Sequence, residues 1–188
     1  MYMISLAGKK IILRAVEPSD IDLIYTWEND PDNWFVSNTR TPYSREIIKK
    51  YIESSGQDIY EQKQLRLMIL ARDHNKSGQE QPIGTIDLFD FDPFNLRAGV
   101  GILIGKKEYR AKGYASDALD VLAGYCFNTL GLHQLYCNIA VNNESSIKLF
   151  MKAGFMVSGT KKEWLRSGKQ WIDEIILQKI EPGSHPQI

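Results

Sequence analysis

Six residues in the middle of the chain, Arg110-Ala111-Lys112-Gly113-Tyr114-Ala115, have the types and spacing to hold a diphosphate. They fall between an apolar, strand-like run and the start of a long helical pattern. A helix start offers amide N–H groups without intrahelical acceptors and a partial positive charge. Small residues at 113 and 115 let phosphate oxygens approach the backbone, and Arg110 and Lys112 add charge at the rim. The same stretch also reads as an ordinary strand-to-helix turn, and position alone leaves both readings open. Other phosphate motifs are missing. There is no GxxxxGK[ST] run, and Gly99, Gly101 and Gly105 lie inside the apolar strand at the wrong spacing for a dinucleotide-binding turn.

Other reactive residues are scattered. Cys137 with His133 would suit a covalent acyl-enzyme, but a cysteine on the apolar side of a strand reads as core. His74, His133 and His185 have no HExxH or cysteine-rich spacing, so no metal site is expected. Glu28, Asp30, Asp32, Asp87, Asp90 and Asp92 either surround a trough for a cationic amine or serve as turn formers. Trp27, Trp34, Phe35 and Tyr43 either wall a pocket or belong to the core.

The elements that must position these residues follow from hydrophobic period. Ile11 to Leu13 reads as a strand, and Ile21, Leu23, Ile24 and Trp27 as a short helix. Ser44 is an expected N-cap for a helix carrying Ile47, Ile48, Tyr51 and Ile52. Leu65 to Leu70 and Pro82 to Phe89 read as strands joined by a polar loop over Asp73 to Gln81. Ala98 to Ile104 reads as a strand buried on both faces. Leu119, Leu122, Ala123, Cys126, Phe127 and Leu130 mark one face of a helix ended by Gly131. Gln134 to Val141 alternates as a strand, a helix runs from Asn143 through Ile147, Phe150 and Met151 to Gly154, and two terminal strands turn at Arg166 to Lys169. An antiparallel meander followed by strand-helix-strand implies a mixed sheet.

Length and composition set the outer limits. The 188 residues suit one domain over 1–181 with a loose tail over 182–188. Lys plus Arg, 23, balance Asp plus Glu, 23, so no global field favours nucleic acid or a membrane surface. With two cysteines and neither a signal-like segment nor a membrane-length apolar run, a cytoplasmic location is expected.

Taken together, these elements resemble the GCN5-related N-acetyltransferase family. Its acetyl-CoA loop, Arg/Gln-x-x-Gly-x-Gly/Ala, is matched at each fixed position by Arg110 to Ala115. Its second signature, an asparagine before a short helix ending in Gly-Phe, is similar to Asn143 through Gly154-Phe155. The match covers roughly residues 9–180 and looks most like the branch of spermidine and ribosomal-protein N-terminal acetyltransferases. The resemblance implies an α/β (α+β) fold with a mixed, mostly antiparallel seven-stranded sheet, splayed between strands four and five and flanked by about four helices. It also implies direct transfer of acetyl from acetyl-CoA to an amine, without a metal, by a homodimer or higher homo-oligomer.

Residue roles carry over on the same terms. Gly101 to Ile104 and Tyr136 to Ala140 would be the splayed strands, with Ile102, Leu103, Ile104 and Asn138 along the pantetheine. Arg110, Ala111, Lys112, Gly113, Tyr114, Ala115 and Ser116 would hold the diphosphate, and Asn143 and Phe150 would complete the cofactor contacts. Asp87 lies at the acidic position of the strand beside the cofactor strand, and is otherwise a solvated strand residue. Glu163 sits in a late strand that faces substrate in other members, and is otherwise a surface charge. Phe150 stands where many members have a proton-donating tyrosine and has no proton to donate; Ser146, one turn earlier, is similar to the serine in that role in the ribosomal-protein branch, and is equally an N3 residue of its helix. The paired glutamates that precede Pro-Tyr in the spermidine branch are Arg40-Thr41 here, which counts against that amine site.

Overall fold

The structure, a computed structural model, describes residues 6–37, 41–54, 58–72, 80–181 and 183. Arg40, His74, His185, most of the expected polar loop and nearly all of the expected tail lie outside the described residues, as does the side chain of Phe35.

Seven strands form one sheet in the order β1-β2-β3-β4-β5-β7-β6. They are β1 (Ile11–Ala15), β2 (Leu65–Ala71), β3 (Gln81–Asp92), β4 (Arg97–Ile104), β5 (Gln134–Ala140), β6 (Met156–Ser167) and β7 (Gln170–Ile180). All neighbours are antiparallel except β4 and β5, as a strand-helix-strand crossover requires. Four helices match the apolar stripes in the sequence: α1 (Ile21–Glu28), α3 (Arg45–Ser54), α5 (Tyr114–Asn128) and α6 (Glu144–Lys152). Two short ones, α2 (Pro31–Ser37) and α4 (Ile59–Gln62), join them; at seven and four residues they are too short to show a period.

The central strands are covered on both faces, and two apolar clusters form there. On one, Leu119, Leu122 and Cys126 of α5 and Phe150 of α6 pack against Ile83, Ile86, Leu88, Leu135 and Leu177. On the other, Ile24 and Trp27 of α1 and Ile48 and Ile52 of α3 pack against Met68 and Leu70. Each such side chain contributes about 1.5–3 kcal/mol on burial. Met151, expected on the apolar stripe, is 53% exposed. Its position on α6 points away from Phe150, which packs edge-on against Phe155 at 5.0 Å.

The feature that matters for function is a break inside the sheet. β4 and β5 are paired only at Arg97 with Gln134, Ala98 with Leu135 and Gly99 with Tyr136. Beyond Gly99 the strands separate while β4 stays paired to β3 through Ile104. The expectation that β4 is buried on both faces therefore holds for Ala98 to Val100 and fails for Gly101 to Leu103, which are half-buried. The splay uncovers them.

Candidate active site

The separated strands open into a cavity of about 880 Å³ on the α1 and α3 face. Gly101, Ile102 and Leu103 form one wall, Asn138, Ile139 and Ala140 another, and Pro31, Trp34, Tyr43 and Tyr51 come from the helical region. Trp34 and Tyr43 thus wall a pocket, whereas Trp27 is core at 5% exposure.

Asp87 lies in this cavity, opposite Gly101 in the β3–β4 register. A Cβ built on Gly101 would stand 3.9 Å from Asp87 Oδ2, so the carboxylate flanks the open edge of β4. It is not alone. Arg66 Nε donates to Asp87 Oδ1 at 2.6 Å, and its Nη1 donates to Glu28 Oε1 at 2.7 Å. All three side chains are largely buried, and the Arg66 guanidinium stands 5.1 Å from the centre of the Tyr51 ring. Burial works against the Arg66 charge; the Asp87 and Glu28 carboxylates outweigh it, and the guanidinium pKa rises. Burial also pushes the Tyr51 phenol up, with Arg66 opposing and both carboxylates reinforcing.

A third carboxylate enters from β7. Glu174 lines the cavity at 9% exposure and accepts from Lys161 Nζ at 2.9 Å, while the same ammonium donates to Asn138 Oδ1 at 3.1 Å. Glu163, the late-strand candidate, is exposed. The β6–β7 register shifts between Lys161 and Leu165, and Glu163 takes φ +50° inside that bulge with its amide donating to Asp173. The acidic residues thus divide. Glu28, Asp87 and Glu174 share the cavity, Asp32 pairs with Lys107, and Asp90 and Asp92 border a second cavity of about 470 Å³ with Arg97, Gln134 and Tyr136.

The loop expected to cradle a diphosphate stands at the start of α5. Gly113 is the N-cap with φ +86°, and Ala111 is also left-handed at +58°. Only glycine adopts such angles without strain, so Ala111 holds about 1 kcal/mol of it, a cost that marks shape imposed by function or packing. No side chain caps α5. The amides of Tyr114, Ala115 and Ser116 therefore have no intrahelical acceptor. A Cβ on Gly113 would meet Lys10 Nζ at 3.4 Å, and that ammonium donates to the Lys112 carbonyl at 2.8 Å. This donor set, uncapped amides behind two left-handed residues with lysines beside them, fits a diphosphate. Arg110 differs from expectation: its guanidinium turns inward, Nε donating to the Ile104 carbonyl at 2.9 Å and Nη2 to Asn33 Oδ1 at 3.0 Å.

In the second signature, Asn143 Oδ1 accepts from the Ser146 amide at 3.2 Å, capping α6 and placing Ser146 at N3, half-buried. Phe150 is 3% exposed within the core. Cys126 and Cys137 are buried, and burial pushes each thiol up to about 12. Among the described residues no group of His, Cys, Asp and Glu is placed to hold a metal, and no helix is long and apolar enough to cross a membrane.

Known proteins are similar to this chain in sequence and in fold. The spermidine N(1)-acetyltransferase of Vibrio cholerae is 26% identical over 155 residues, covering 81% of this chain and 82% of the relative. The uncharacterized N-acetyltransferase p20 of Bacillus licheniformis is 26% identical over 184 residues, covering 95% and 97%. A crystal structure of spermidine N-acetyltransferase from Vibrio cholerae has the same fold, with a TM-score of 0.78 at 22% identity over 92% of this chain and 96% of that one. Residues 10–156 match the acetyltransferase (GNAT) domain family. A sheet opened between its parallel strands, a diphosphate-shaped helix start beside the opening and this match agree: the chain belongs to the GNAT family and is an acetyl-CoA-dependent N-acetyltransferase.

Proposed function

We propose that the enzyme acetylates the primary amine of a small cationic substrate, a polyamine such as spermidine before others, by direct transfer in a ternary complex. The observation that carries this reading is the convergence of Glu28, Asp87 and Glu174 on the cavity into which the splayed strands open. The spermidine-named relative supports it, as does the neighbour whose structure holds CoA and spermine.

When bound, acetyl-CoA supplies the activated acyl carbon. The residues of this chain do the rest. The amides of 113–116 would hold the diphosphate, and the backbone of Ile102 to Ile104, with Asn138 and Asn143, would line the pantetheine arm. An N–H of Ile102 or Leu103 donates to the thioester carbonyl oxygen, a contribution of about 3–4 kcal/mol where such donors have been removed. The amine arrives as an ammonium with pKa about 10.4 and must lose a proton before its nitrogen attacks. Asp87 takes that proton. Arg66 occupies two of its acceptor positions and leaves others toward the cavity. As the amine nitrogen bonds to the acyl carbon and the C–S bond breaks, the nitrogen's second proton would pass to the departing sulfur or to water, directly or relayed by the Ser146 hydroxyl, and a thiol of pKa about 8.5 is a fair leaving group even unassisted. Glu163 acts at most on the outer course of the substrate.

A second reading, acetylation of a protein N-terminus, is favoured by two cations. Arg66 offsets one charge of the Glu28–Asp87 pair, and Arg166 borders the cavity, an arrangement that suits one ammonium followed by a peptide. Steady-state thiol release on a panel of polyamines, monoamines and peptides decides. Turnover of spermidine above the rest is expected, preference for peptides selects the second reading, and CoA binding without turnover would make the protein a non-catalytic CoA-binding module.

A further inference from the structure

Arg110 opens the motif that marks the cofactor loop, yet its guanidinium turns onto the Ile104 carbonyl and the Asn33 side chain of α2. We infer that Arg110 is a positioning residue for the amine: through Asn33 it holds α2 against the cofactor loop, so that Pro31 and Trp34 stand as a wall of the cavity. This inference rests on the proposed placing of acetyl-CoA at 110–116 and of the amine in the cavity.

The contacts form a continuous chain. Arg110 Nε and Nη2 donate to the Ile104 carbonyl and to Asn33 Oδ1 at 2.9 and 3.0 Å. Asn33 is 2% exposed, and its Nδ2 donates to the Trp27 carbonyl at 3.0 Å. One residue further on, Trp34 lines the cavity, and its Nε1 donates to the Glu28 carbonyl at 3.0 Å, directly behind the carboxylate that pairs with Arg66. A second tie runs parallel, an ion pair between Lys107 and Asp32. Beneath both, Gly105 lets the loop close on α1: a Cβ there would lie 2.4 Å from the Trp27 ring.

Two physical points give the chain a purpose. At seven residues α2 is too short to persist by its own hydrogen bonds, so its place must come from tertiary contacts. A guanidinium with two donors in a fixed plane sets direction as well as distance, which a lysine ammonium does not. Arg110 thus fixes one pocket wall relative to the strand that carries the thioester.

The test separates the two cosubstrates in the full-length enzyme. Arg110→Met and Arg110→Lys, the second keeping the charge without the fork, are compared with wild type in three measurements. These are the CoA dissociation constant by calorimetry, hydrogen exchange of the amides at 32–37, and KM and kcat for spermidine. We expect a CoA dissociation constant within about twofold, α2 exchange faster by about tenfold, and a spermidine KM higher by about fivefold to tenfold at little-changed kcat, as loss of the charge-assisted hydrogen bond to Asn33 predicts. Asn33→Leu should reproduce the pattern, with the double variant no worse than either single one. CoA affinity weakened tenfold with α2 exchange unchanged would make Arg110 a phosphate ligand and overturn the inference; so would wild-type behaviour of Arg110→Lys, or additive losses in the double variant. Failure of the underlying reading looks different: unaltered CoA affinity in Gly113→Val removes the cradle, and absence of spermidine turnover in wild type removes the polyamine. In both cases the exchange measurement still judges the tie between Arg110 and α2.

Discussion

Arg66 and Asp87 face each other across β2 and β3 as register partners, their side chains joined by two hydrogen bonds at 2.6 and 3.3 Å inside the cavity. The candidate base is therefore held in one direction before substrate arrives. Replacing Asp87 by Asn keeps the shape and removes the proton acceptor. We expect turnover to fall about 10²- to 10³-fold, the usual range for a general base, with CoA affinity nearly unchanged. The pH–rate profile checks it: an acid limb that persists unaltered in Asp87→Asn places the base elsewhere.

Arg66→Met leaves Glu28 and Asp87 as neighbouring carboxylates with their shared cation gone. Losing one partner of a largely buried pair costs about 2–3 kcal/mol here, below the value for full burial because the three side chains keep some solvent contact. Urea unfolding measures it, and a loss under 1 kcal/mol would mean the triad is solvated in practice.

At Gly113 the φ of +86° and the need for close approach coincide. Gly113→Val should weaken CoA binding by about tenfold or more, since it strains the backbone and screens the amides of the first turn of α5. Calorimetry with CoA reads this directly.

Asp20 is almost fully buried and accepts two hydrogen bonds from Arg14, at 2.7 and 2.8 Å. Burial opposes its ionisation, but Arg14 and the Glu17 amide prevail and hold its pKa below the ordinary 3.8. The depressed folded value means that this contribution to stability is complete above the unfolded pKa and is lost as pH falls through the folded one. Unfolding free energies measured from pH 6 to pH 2 should drop through the acid range in wild type and drop less steeply in Asp20→Asn.

Cys137 is 2% exposed with its thiol pushed up to about 12, so it is neither a thiolate nor reachable at neutral pH. Native enzyme should resist iodoacetamide, and Cys137→Ala should retain turnover within about threefold, the effect of a small core change. Loss of turnover on alkylation would revive an acyl-enzyme.

What could be read in the sequence was local. The helix start at Gly113 and the Asn143 cap are each set by a few adjacent residues. The Glu28–Arg66–Asp87 triad joins positions 38 and 21 residues apart, which no periodicity reports. One signal was present: an arginine inside the apolar run Leu65 to Leu70 needs a buried counter-charge. Glu174, a carboxylate in the apolar course of β7, carries the same signal. The bulge that holds Glu163 is not foretold by strand alternation, and a motif fixes which residue stands at 110, not where its side chain turns.

The split between β4 and β5 has a last consequence. A sheet usually shows its unsatisfied margins at its outer rims, where foreign strands add on. Here such a margin is recessed in the centre of the molecule, bordered by Gly101 to Leu103 on one side and Asn138 to Ala140 on the other. A guest that settles there must bring donors and acceptors of its own at peptide-like intervals, so the slot selects an amide-bearing arm over a bare hydrocarbon one.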